Sequence, residues 1–313
     1  MAGHTEKVLH HQFSSHKRPI SQKSSVPRKS AAVAFVLGIS LLLASCVVPS
    51  AARQSSRSSV SPFISAGTVE YSPGLLADLY LPRSGNNRGV IVLVHAGGFY
   101  TGSRHEIAAY ATPIMDQLDR GFAVVNIDYR LTTASNNQFP AAVADVSAAI
   151  DWARSAGPNY GLNPATVLVA GHSAGGTLAA LIGLGANNPG SSRGTTSSVD
   201  GWIAISGIYD MRTEGVAQLQ QRAWLGADAS PEAIQAASAV TLADAGDAPG
   251  YIVHGAQDPL VSVSQAFSLF ITTWFTRRDP WLDVVSSADC NGHIPTCGMN
   301  TAFLNLWIDQ RTH

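Results

Sequence analysis

Beyond residue 45 the chain has no surplus of basic side chains. Its first 45 residues carry six Lys and Arg (Lys7, Lys17, Arg18, Lys23, Arg28, Lys29) against the single acid Glu6. The whole chain of 313 residues has a formal net charge of −1, so the remainder is acidic by six. With no basic stripe to neutralise phosphates, a nucleic-acid partner is excluded for that remainder. Cysteine is scarce, three in all: Cys46, Cys290 and Cys297. Past the leader no His, Cys and carboxylate side chains recur at ligand spacing, so neither a metal nor an organic cofactor is implied. Internal repeats are absent as well. What the chain does have is length and 45% hydrophobic composition, enough for one large α/β domain with a substantial core.

The N-terminal part reads as an export signal. A basic stretch ends at Lys29, an apolar run follows from Ala31 to Leu43, and Leu43-Ala44-Ser45-Cys46 comes next. That tetrapeptide resembles the bacterial lipobox, in which cleavage precedes a Cys that then takes a lipid anchor. On this reading residues 1–45 are removed and Cys46 is lipidated. Residues 46–61, rich in Ser and Arg, form a flexible tether to the membrane of the cell envelope, and the folded domain covers residues 62–313. An ordinary cleaved signal or an uncleaved anchor spanning Ala31 to Val48 are the alternatives, and all three export the bulk of the chain. The histidines His4, His10, His11 and His16 then go with the leader. Cys290 and Cys297 bracket "NGHIPT" at a spacing a short disulfide loop closes, which fits an oxidising compartment; two buried free thiols are the alternative.

From residue 90 strand-like runs alternate with helical patterns. "GVIVLVHAGG" reads as a strand entering a Gly loop, a helix is expected around Ala108 to Asp119, and "GFAVVNIDYRL" is the next strand. Val143, Val146, Ile150 and Ala153 recur at helical spacing, and further strands are expected at Thr166 to Ala170, Trp202 to Ser206, "PGYIVHGAQD" and "LDVVSS", before a terminal helix at Asn300 to Asp309. Such alternation predicts a mostly parallel sheet covered on both faces, with reactive groups in loops at the carboxyl ends of its strands. His95 to Gly98, Ser173, Asp258 and His293 all fall at such ends.

Ser173 lies in "AGHSAGG", a G-x-S-x-G pattern preceded by an apolar β-rich run and followed by the helix formers of Ala174 to Leu184. Small neighbours leave room for a sharp backbone there, so the context fits a nucleophile elbow. Ser192, in "NNPGSSRGTTSS", matches the same pattern with no apolar run on either side and reads as an exposed loop.

Together "HAGGF" (95–99), "DYRL" (128–131), "FPAAVADV" (139–146), "GHSAGG" (171–176), "HGAQDPLV" (254–261) and "GH" (292–293) resemble the α/β-hydrolase superfamily. The likeness is to its bacterial esterase and lipase group, the hormone-sensitive-lipase-like and feruloyl-esterase-like carboxylesterases, over about residues 65–313. The resemblance implies an α/β-hydrolase fold with a small cap and a serine hydrolase acting on small-molecule esters. Ser173 would be nucleophile, His293 general base and Asp258 the orienting acid, with an oxyanion hole from the N–H groups of Gly97, Gly98 and Ala174. Ala96 departs from the family by standing at the first Gly of its HGGG-type loop. His254 resembles a structural position, while His95 and His172 flank the site as positioning groups. Asp210 is an alternative acid, Asp145 and Asp151 read as solvated or capping groups, and Asp289 as a neighbour that tunes His293. If joined, Cys290 and Cys297 would clamp the loop carrying the base. Trp224 and Leu225, in the interval between strands where this fold carries its cap, either bound a compact apolar acyl site suited to short-chain esters or belong to the core. Amide or peptide cleavage uses the same triad and stays open. A surface lipoprotein keeping the fold without turnover is the other alternative, although it would need neither the triad nor the Gly loop. Oligomeric state is unspecified.

Overall fold

The computed structural model describes residues 63–85, 87–106, 111–186, 199–213, 223–276 and 279–312. The leader, Cys46, the tether and Ser192 lie outside the described residues, which all belong to one unit, Ser59–His313. Eight strands make one sheet: β1 (Phe63–Ser72), β2 (Leu75–Pro82), β3 (Gly89–Val94), β4 (Phe122–Ile127), β5 (Val167–His172), β6 (Gly201–Ile205), β7 (Gly250–Gly255) and β8 (Trp281–Val285). Their order is β1-β2-β4-β3-β5-β6-β7-β8. β2 runs antiparallel to β1 and β4, and every later pairing is parallel. Parallel neighbours need crossovers, which contain the helices α1 (Thr112–Met115), α2 (Ala141–Ser155), α3 (Ala174–Gly183), α4 (Pro231–Ala236) and α5 (Ser264–Phe275), and α6 (Thr301–Asp309) follows the last strand.

The central strands read as unbroken apolar runs because both of their faces are covered. Val90, Val92 and Val94 of β3 face one cluster with Val143, Val146 and Ile150 of α2 and Leu178 of α3. Ile91 and Leu93 face the other, with Ile114, Leu118, Leu304 and Trp307. All ten residues of α3 are buried, as its lack of charge requires. Each large side chain so buried contributes roughly 1.5–3 kcal/mol relative to exposure.

Two elements differ from the sequence reading. The hairpin β1–β2 had no counterpart in it: β1 intersperses Gly, Ser and Thr among its apolar residues, and only half of the β2 residues are buried. The helix expected from Ala108 to Asp119 is a four-residue α-turn at Thr112–Met115 continued by a 3-10 turn over Asp116–Arg120. Pro113, fixed in φ and lacking an N–H, sits in its first turn, where proline is tolerated; residues 107–110 lie outside the described residues.

Candidate active site

β5 delivers Ser173 to a turn where its backbone takes φ 54°, ψ −117°, a region non-glycine residues rarely occupy. The turn is held from two sides. Ser173 donates its N–H to the Ile205 carbonyl at 2.8 Å, and its own carbonyl accepts from Thr177 at 2.9 Å. Gly175 allows α3 to press on the neighbouring strand, because a Cβ there would stand 2.2 Å from the Val94 oxygen. The helix N-terminus therefore begins one residue after the serine hydroxyl.

The loops after β7 and β8 bring two further groups to that hydroxyl. His293 Nε2 lies 2.9 Å from Ser173 Oγ, and His293 Nδ1 lies 2.8 Å from Asp258 Oδ2. With Nδ1 donating to the carboxylate, Nε2 is left to accept from the serine hydroxyl. Asp258 is itself tied down, since its Oδ1 accepts from the N–H groups of Leu260 (2.8 Å) and Val261 (3.0 Å). Burial pushes its pKa up, but hydrogen bonds from His254, His293 and the Val261 N–H more than offset this and hold it well below the usual carboxylate range.

Beside the serine, the loop after β3 turns through Gly97 (φ 117°) and Gly98 (φ 60°), and a Cβ at Gly97 would lie 2.0 Å from the Thr101 oxygen. Ala96 is not among the residues with positive φ, so its methyl group meets no conformational penalty. Gly97, Gly98 and Ala174 donate their backbone N–H to no described residue. His95 Nδ1 lies 2.6 Å from the Ala96 oxygen, and its ring stacks on Tyr129 at 4.1 Å, which fastens the start of this loop.

The remaining residues singled out in the sequence fall as follows. His172 places Nε2 2.6 Å from the His293 carbonyl; burial pushes its pKa down to about 4, so it is a neutral donor that steadies the loop. Asp210 is engaged by Arg212 at 2.8 Å rather than by His293. Asp145 pairs with Arg130 at 2.6 Å, while Asp151 and Asp289 are exposed. Cys290 and Cys297 are joined in a disulfide with Cα atoms 5.7 Å apart. Trp224 is fully buried, stacked on Phe99 at 3.9 Å and edge-on to Phe139, which assigns it to the core. Sequence reasoning did not find that His254 also reaches the acid, at 3.3 Å. The signal was available, because a His at a strand end four residues before an Asp is carried back to it by a tight turn.

Sheet order, elbow and hydrogen-bonded row together define an α/β-hydrolase. The profile of the BD-FAE family matches residues 77–272, and the chain belongs to that family. It is 32% identical over 195 residues to Esterase LipC of Mycobacterium tuberculosis, an alignment covering 57% of this chain and 46% of that protein. Esterase LipQ of the same organism is 29% identical over 244 residues, covering 72% of this chain and 56% of that one. The chain thus spans about half the length of these relatives. Among solved structures, a truncated carbohydrate esterase from gut microbiota superposes with a TM-score of 0.67 at 22% identity, covering 80% of this chain and 96% of that one. A Thermogutta terrifontis esterase with bound propionate gives 0.63 at 22% identity, covering 79% and 94%. At these identities the two structures speak for the fold alone.

Proposed function

We propose that the protein hydrolyses carboxylic esters of small molecules through an acyl-enzyme. The observation that carries this reading is the continuous row Ser173 Oγ, His293 Nε2, His293 Nδ1, Asp258 Oδ2, with links of 2.9 and 2.8 Å. A serine hydroxyl is too weak an acid to attack an ester unaided. His293 takes its proton as Oγ bonds to the carbonyl carbon, and the ionised Asp258 stabilises the imidazolium. The carbonyl oxygen becomes an oxyanion facing the N–H groups of Gly97, Gly98 and Ala174, where one donor is typically worth about 10²–10³ in turnover. When the C–O bond breaks, His293 returns the proton to the leaving alcohol. Water then attacks the acyl-enzyme by the same route and frees the acid and Ser173.

Short acyl chains suit the site best. Phe99, the residue after the Gly loop, is buried against Trp224 at 3.9 Å, which supports a compact acyl site. Cys46 carries a lipid that holds the domain at the bacterial envelope, a reading that rests on the LASC sequence and the apolar run before it.

The test is labelling with a fluorophosphonate and hydrolysis of p-nitrophenyl esters of increasing chain length. Wild type should label once and prefer short esters, and Ser173→Ala should do neither. Labelling that survives the substitution would unseat the assignment. Incorporation of radiolabelled palmitate, lost in Cys46→Ala, checks the anchor.

A further inference from the structure

Asp258 lies between two imidazoles, not one. Its Oδ2 atom accepts from His293 Nδ1 at 2.8 Å and faces His254 Nε2 at 3.3 Å. His254 is at the end of β7, fully buried, and its Nε2 is also 2.9 Å from the Val261 carbonyl. Both atoms facing Nε2 are acceptors, so Nε2 carries the proton. Nδ1, buried without a hydrogen-bond partner, is left as the bare nitrogen. The tautomer is therefore fixed by the surroundings.

This N–H spans the turn that carries the acid. One end of the turn is Asp258 and the other Val261, whose N–H returns to Asp258 Oδ1. A single imidazole thereby ties the carboxylate and the backbone three residues on to the end of the fully buried strand β7. Without it Oδ1 would still be held by backbone, but among the described residues His293 alone would fix Oδ2. The acid would then be positioned by the base it is meant to position.

We propose that His254 is a positioning residue that aims Oδ2 of Asp258 at His293 and keeps the row aligned during turnover. The inference rests on the triad reading above. His254 touches neither the nucleophile nor the reacting ester, so substrate affinity should not depend on it.

The experiment compares His254→Gln, whose amide N–H can reach where Nε2 stands, with His254→Leu, which has no donor, in the full chain. Circular dichroism and melting first establish that both are folded. For a p-nitrophenyl short-chain ester we expect kcat of His254→Leu to fall on the order of 10- to 100-fold with KM within about twofold, the size of loss that slight misplacement of a catalytic group produces. His254→Gln should recover most of the lost kcat. Equal losses in both variants, or a rise in KM with kcat unchanged, would reduce His254 to packing and overturn the proposal. Unaltered kcat in His254→Leu would overturn it too. Should His254→Leu not fold, His254→Gln against His254→Met makes the same comparison. Fluorophosphonate labelling separates the two levels of the argument. If Ser173→Ala still labels and turns over, the triad reading has failed; if Ser173→Ala is dead and His254→Leu is unimpaired, only the role of His254 has.

Discussion

The turn bearing Ser173 and the loop bearing His293 meet through hydrogen bonds at Ser173 and at its neighbour His172, yet they differ in how much packing supports them. The serine turn is locked by close packing: α3 is buried along its whole length, and Gly175 presses backbone on backbone. The His293 loop, residues 286–300, has one short 3-10 turn at Pro295–Gly298 and several exposed residues. Separate links hold it: the bond from His172 to its carbonyl, the Cys290–Cys297 disulfide, the pairing of its side chain with Asp258, the Gln257 N–H on the Asn291 carbonyl at 2.9 Å, and one close backbone approach at Gly255, where a Cβ would stand 2.0 Å from the Gly292 oxygen. A turn fixed by sterics fails all at once, whereas a loop fixed by separate links fails by degrees.

The sharpest way to break this contrast is Gly175→Ala. A methyl group 2.2 Å from the Val94 oxygen and 2.7 Å from that of His95 cannot be accommodated without moving β3 or α3. We expect a loss of about 3 kcal/mol or more in urea unfolding, with activity falling on the order of 10²-fold or further. A variant of near wild-type stability would show that packing does not lock the elbow.

Next in size is a pH effect at the loop. His172 has its pKa lowered by burial from 6.5 to about 4, so below pH 6.5 the unfolded chain binds a proton the folded one refuses. Its contribution is complete above pH 6.5 and is lost as pH falls toward 4, a change of about 3 kcal/mol. Unfolding free energies at pH 7 and pH 4.5 should converge for wild type and His172→Gln as the pH falls; parallel curves would refute the assignment.

Removing the disulfide should cost somewhat less. With a sequence separation of 7, the chain-entropy argument gives about 2–3 kcal/mol. Verified reduction, or Cys290→Ser with Cys297→Ser, should lower kcat several-fold with little change in KM. Unchanged turnover would mean that the remaining links, from His172, Asp258 and the Gln257 N–H, suffice to place His293. Smallest of all, Ser192→Ala should leave turnover unaltered and change stability by no more than about 0.5 kcal/mol.

Much of this was legible along the chain. Alternation of buried runs and helical stripes announced the parallel centre, since strands covered on both faces must be apolar throughout; Val143, Val146, Ile150 and Ala153 of α2 are buried as their spacing requires. Local context also marked the turn at Ser173, where a buried strand runs straight into a buried helix. The hairpin β1–β2 was missed because a half-solvated edge carries weak hydrophobic contrast, and Trp224 could not be assigned because an indole in a pocket wall and one in a core have the same sequence signature.

What the sequence alone determined was local: which runs are buried on two sides, where glycines permit a sharp turn, and which polar residues end each strand. What the tertiary structure decided was convergence. Ser173, Asp258 and His293 are brought into one row only by parallel strands β5, β7 and β8 ending on the same side of the sheet. That structure also set Asp258 rather than Asp210 beside His293, put a second imidazole on its carboxylate and set Trp224 against Phe99. These are contacts between distant segments, and their energies depend on separations of a few ångströms that strand pairing and crossover packing impose.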